Sequence, residues 1–139
     1  MKKLFSILIL CTFVFSSFVV EAGTSKKESI GSFWTKFKTA VMKNDKQTLS
    51  DMVKYPLSMP YGVRSVKTKA DFINRYKEIF DGQLKGFPVN TAKKCFANAK
   101  PEKEEGSSRY FVACNDVVLF YFTSTKGVWK LSGVDNINE

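Results

Sequence analysis

Two cysteines, a scatter of tyrosines and a few arginines are the residues of this chain best suited to chemistry. Cys95 and Cys114 lie symmetrically about the middle of a polar stretch at 100–108. If 91–98 and 109–115 are the arms of a hairpin, the two side chains face each other at bonding distance. Two buried free thiols and a redox pair are the alternatives, although the C-x-x-C spacing of redox pairs is missing. The chain has no histidine. That excludes a Ser-His-Asp triad, a Cys-His dyad and every His-ligated zinc site. Acid–base work would fall to Asp, Glu, Tyr or Lys. Asp51 and Asp116 lie nearest to apolar runs, and Tyr55, Tyr61, Tyr76 and Tyr121 could supply hydroxyls. None sits in a diagnostic motif, so no residue is assigned a catalytic role and no metal or cofactor is expected. Asp51 reads more simply as a solvated helix residue, and Asp116 as a turn residue. Arg64 follows a Gly-bearing apolar segment and could reach an anionic group. Its plainer role is that of a solvated arginine at a strand end.

The compartment bears on the cysteines. Met1-Lys2-Lys3 precedes an apolar run from Leu4 to Val20, then Glu21-Ala22-Gly23. A basic start, an apolar stretch and small residues before a cut are the parts of a secretory signal. Residues 1–22 therefore read as a cleaved signal peptide, with 23–139 as one domain. Cleavage removes Cys11 and lowers the net charge of +9 by one unit. Two cysteines in an exported chain favour the disulfide. The expected location is the periplasm or the extracellular space, and the Lys-rich, Arg-poor composition suggests a bacterial source. No stable membrane insertion is expected after cleavage.

The chain of 139 residues, 44% apolar and 25% charged, suits a single globular domain and excludes wholesale disorder. A helix is predicted over 25–44, from a Ser25/Glu28 capping box and an apolar stripe at Ile30, Phe33, Trp34, Phe37, Ala40 and Val41. Asp45 caps a second helix carrying Leu49, Met52 and Val53, ended by Pro56. Residues 55–61 alternate as an extended edge. Thr68 starts a third helix that Gly82 closes. Residues 83–90 are irregular or a short strand, and strands are predicted at 91–98, 109–115, 117–123 and 127–135.

With that order of elements, the chain resembles the nuclear transport factor 2-like superfamily, also called cystatin-like or ketosteroid-isomerase-like. The resemblance rests on Phe33-Trp34-Thr-Lys-Phe37 through Asn44-Asp45, on Leu49-Ser-Asp-Met52-Val53-Lys-Tyr55-Pro56-Leu57, on Lys69-Ala70-Asp71-Phe72, and on the closing Gly127-Val-Trp129-Lys-Leu131. It implies an α+β fold: a curved antiparallel sheet wrapped into a cone and covered by about three helices of the N-terminal half. It also implies a concave pocket between the first helix, residues 55–61 and the later strands. Trp34, Tyr55, Tyr61, Arg64, Tyr76 and Tyr121 are the candidate pocket residues. Ketosteroid isomerases use an aspartate base and a tyrosine oxyanion partner in such a pocket. Histidine-dependent dehydratases of the superfamily are excluded. Members often pair through the outer face of the sheet. Here Val118, Phe120 and Phe122 alternate with Val117, Leu119 and Tyr121, so both faces of one strand are apolar and a homodimer is expected.

Fold does not fix function. The expectation is a small exported binding domain for an unknown ligand or protein. The alternatives are a cofactor-free isomerase or dehydratase using Asp and Tyr, and an inhibitor or immunity-type protein meeting an acidic partner. Nucleic acid is not expected, because after the leader only Lys26-Lys27 and Lys93-Lys94 are adjacent and no nucleic-acid motif accompanies them.

Overall fold

A computed structural model describes residues 27–138. The predicted leader and the expected Ser25 cap lie outside them. Helix α1 (Ile30–Met42) forms where the apolar stripe predicts it, with Phe33, Trp34, Phe37, Ala40 and Val41 buried. Its start is later than expected. Ser29 is the N-cap, and its hydroxyl accepts the Ser32 N–H at 3.1 Å. Glu28 stays outside the helix, where its carboxylate takes Lys36 and its carbonyl takes the Trp129 indole N–H.

Helix α2 (Lys46–Asp51) is capped by Asp45, which accepts the Thr48 N–H and hydroxyl at 3.0 and 2.7 Å. Those bonds hold the Asp45 carboxyl below its ordinary pKa. Val53 is not in this helix. It opens β1 (Val53–Ser58), whose alternate residues Val53 and Leu57 are buried. The third predicted helix is two, α3 (Lys69–Asn74) and α4 (Tyr76–Phe80), followed by a 3₁₀ turn at Gly82–Leu84. Arg75 stands at the break. Its guanidinium donates to the Arg64 and Ser65 carbonyls and pairs with Glu78 at 2.7 Å.

The clearest departure is at 91–98, predicted as a strand. It is helix α5 (Ala92–Asn98), capped by the Thr91 hydroxyl, which accepts the Lys94 N–H. Helices are therefore not confined to the N-terminal half. The polar loop that follows contains a two-residue strand, β2 (Glu102–Lys103). Strands β3 (Tyr110–Cys114), β4 (Val118–Thr125) and β5 (Val128–Asn136) complete an α+β fold.

The curved sheet is open, with the order β1-β5-β4-β3-β2. It is mixed rather than antiparallel, because β1 runs parallel to β5 while the other pairs are antiparallel. A bulge between Tyr121 and Phe122 bends the β4–β5 pair. Lys126 and Gly127, both at positive φ, make the tight β4–β5 turn. A side chain at Gly127 would meet Lys27 Cγ at 2.9 Å. One face of the sheet carries Val112, Val118, Phe120, Phe122, Leu131 and Val134 into a single core shared with all five helices. Pro56 sits on β1, the edge strand where a proline is best tolerated.

Candidate functional site

The space where a cone would hold its pocket is occupied by aromatic rings. The centroid of Phe37 lies 5.7 Å from Phe33, 5.2 Å from Phe122, 6.2 Å from Phe80 and 6.3 Å from Phe96. Phe120 stacks on Phe80 at 5.7 Å and meets Phe96 edge-on at 5.0 Å. Among the described residues, the buried polar side chains are Ser50 and Asn136, with no buried carboxylate beside them. Proton abstraction by an aspartate raised through desolvation would call for such a carboxylate.

The six candidate pocket residues are spread over several parts of the fold. Of the four cavities described, none holds more than one of them. Tyr55 donates its hydroxyl to the Ser50 carbonyl at 2.9 Å. Burial, with a smaller contribution from Asp51, pushes its pKa up to about 12. Tyr76 packs into the core against Phe72 and Phe80, and burial pushes it up to about 12 as well. Tyr61 is 90% exposed. Arg64 reaches Asp71 at 3.6 Å on the surface. Tyr121 is on the opposite face of the sheet, under the Arg109 guanidinium at 4.5 Å from its ring centroid. It lines a cleft of about 210 Å³ with Ser58, Ser132 and Asp135. Arg109 is itself bound by both Glu104 oxygens at 2.6 Å, which lowers the Glu104 pKa. Asp51 pairs with Lys69 in solvent, and Asp116 sits in a turn at positive φ.

Cys95 and Cys114 are joined by a disulfide, with Cα atoms 5.7 Å apart. The expected bond is there, but not across a hairpin. It fastens helix α5 to strand β3. This works because Cys95 lies on the inner side of α5, next to buried Phe96 and one turn after buried Ala92.

The remaining wall of α5 forms the largest described cavity, a groove of about 580 Å³ against α1. Trp34 and Met42 line the α1 side, and Ala97 and Ala99 the other. Lys38, Lys43 and Lys100 rim it, and no acidic residue lines it. The Lys38 ammonium bridges the two walls by donating to the Ala97 carbonyl at 2.6 Å. None of these three lysines is in an ion pair among the described residues. Of this set, sequence reasoning singled out Trp34 alone. The signal it missed was helical: Ala92, Phe96 and Ala99 at i, i+4 and i+7, behind a threonine cap. No protein-family model matches the chain, and no curated protein matches it by sequence.

Proposed function

We propose that this protein is an exported binding domain of the nuclear transport factor 2-like kind, which acts through its surface on an anionic partner and not by catalysis. One observation carries this reading. Among the described residues the interior is filled by phenylalanine rings without a buried carboxylate, while the largest described cavity is an outside groove whose charged lining residues are all lysines. A filled interior leaves no room for a substrate, and unpaired cations of one sign favour an anionic partner. The isomerase reading loses two of its four hydroxyls, since Tyr55 is spent on Ser50 and Tyr76 is held in the core. An inhibitor or immunity-type role falls within the proposal, because either would bring an acidic protein surface to these lysines.

Support for export comes from the disulfide and from the leader pattern. Among the described residues no helix is long and apolar enough to cross a membrane. Pairing of two copies through Phe111, Leu119 and Tyr121, half-buried on the outer sheet face, belongs to the same reading. The test is native mass spectrometry of the protein purified from its own host, followed by hydrogen exchange with and without whatever stays bound. The expected result is a chain beginning at Gly23, carrying an acidic partner that protects surface amides. A retained small molecule that protects Phe37 and Phe120 and leaves the surface unchanged would overturn the proposal.

A further inference from the structure

The α1–α5 groove has a size, a polarity and a charge pattern that together restrict its occupant. Trp34, Lys38 and Met42 follow one another at four-residue steps along α1. At 1.5 Å per residue that face is about 12 Å long. An extended peptide rises about 3.3 Å per residue, so about four residues fit along it. The lining is more apolar than polar: the buried Trp34, half-buried Met42 and Ala99 and the small exposed Ala97 stand beside Thr35, Thr39 and Asn98. The charged residues of the lining are all lysines, and Lys38 is already turned to the Ala97 carbonyl. Lys43 and Lys100 are exposed and free of ion pairs among the described residues. Asp45, the nearest acid to Lys43 along the chain, is bonded chiefly by Thr48 and feels Lys43 more weakly, and Glu102, two residues from Lys100, is in no ion pair with it.

Two other anionic classes fit less well. A membrane lipid chain occupies half of a hydrocarbon core, about 15 Å, which is longer than the groove. The groove is also open along its length, so such a chain would stay half in water. A nucleic acid would call for an aromatic face and for arginine forks on phosphate. Trp34 is 6% exposed, and no arginine lines the groove.

From this we infer that the α1–α5 groove is a docking site for a short acidic peptide segment, about four residues long, seating an apolar side chain between Met42 and Ala99 and carboxylates on Lys43 and Lys100. The inference rests on the surface-binding reading above and adds the place and the chemistry of the partner. The disulfide supports it mechanically, since Cys95 holds α5 to β3 one turn before Ala99 and so fixes one wall of the groove.

The test is a nitrogen-15 NMR titration of the protein, expressed with its own N-terminal segment and purified as processed. The probes are acetyl-Glu-Leu-Asp-Leu-amide, its uncharged partner acetyl-Gln-Leu-Asn-Leu-amide, and dodecanoate. Shifts caused by the acidic peptide should cluster at residues 34–43 and 97–100. The uncharged peptide should bind about fivefold more weakly, the effect of losing two exposed ion pairs. Lys43→Gln with Lys100→Gln should weaken the acidic peptide by a similar factor and leave the uncharged one unchanged. Both lysines are exposed, so an unchanged spectrum of the free variant will report an intact fold. Ala97→Glu, which adds an acid to the groove wall, should abolish binding. Equal binding of the two peptides, tighter binding of dodecanoate, or no shift at any concentration of acidic peptide would each overturn the inference. Shifts gathered on the outer sheet face would also overturn it, while leaving the broader surface-binding proposal in place.

Discussion

Removing the Cys95–Cys114 bond should loosen one helix and leave the sheet alone. The perturbation is Cys95→Ser with Cys114→Ser, or reduction of the wild-type chain. The bond closes a sequence separation of 19 residues. In the chain-entropy model a loop of that length restricts the unfolded state by about 3 kcal/mol. That is a large share of a margin of roughly 5–15 kcal/mol. The double variant should therefore fold and melt earlier. The location of the loss follows from the geometry. Strand β3 keeps its five register pairs with β4, from Tyr110↔Phe122 to Cys114↔Val118. Helix α5 keeps Phe96 in the core, but its side-chain cross-link to β3 is gone. Hydrogen exchange should therefore quicken over residues 92–100 and stay slow over β3 and β4. Urea melts of the oxidised, reduced and doubly substituted proteins, with thiol counting on native material, measure both parts. Equal melts, two free thiols in native protein, or faster exchange in β3 and β4 with α5 unchanged would refute the reasoning.

Phe37→Ala should cost about 3–5 kcal/mol in denaturant melts, because the ring is wholly buried among five others and its loss leaves a cavity. Gly127→Ala should destabilise by about 1–2 kcal/mol, since the position sits at φ 81° and the new Cβ meets Lys27; a melt equal to wild type would contradict it. Tyr55 and Tyr76 are raised from 10.0 to about 12 in the folded chain. Between those values the unfolded chain gives up these protons and the folded chain keeps them. Stability should therefore hold below pH 10 and fall as the pH rises through 12, as alkaline urea midpoints would show. Glu78 and Glu104 are lowered from 4.5 by hydrogen bonds from Arg75 and Arg109. Their contribution is present above pH 4.5 and should fade as the pH falls below it, and acid melts of Glu104→Gln should show less of this slope.

The parts of the fold that local pattern determines were legible in the sequence. The stripe of α1, the Asp45 and Thr68 caps and the alternation of β4 each depend on neighbours within a few residues. The single-helix reading of 68–82 failed at Arg75, whose guanidinium goes to the Arg64 and Ser65 carbonyls, a contact outside the helical pattern. The strand reading of 91–98 failed because a seven-residue helix carries little periodicity. Alternation and helical spacing compete there, and packing of Phe96 against Trp34 and Phe120 decides between them. The groove went unseen for the same reason, since one of its walls had been assigned to the sheet. The cysteine pairing came through because the bond needs only two sulfurs brought within reach, whichever element carries them. The parallel pairing of β1 with β5 has no local sequence sign at all.

That pairing sets the order in which the chain can fold. A chain that emerges from its N-terminal end presents β1 long before β5 exists to receive it. The Lys130 ammonium reaches the Asp51 carbonyl across 79 residues, and the Trp129 indole reaches Glu28 across 101. Contacts so far apart close slowly, because a long loop must be gathered before any of them forms. Until β5 arrives, β1 lacks its neighbour in the sheet, and until β4 arrives, the α1 rings lack Phe122 beneath them. For a protein that must be threaded unfolded through a narrow pore, as the export reading requires, late closure would keep the chain pliable until its last strand is through.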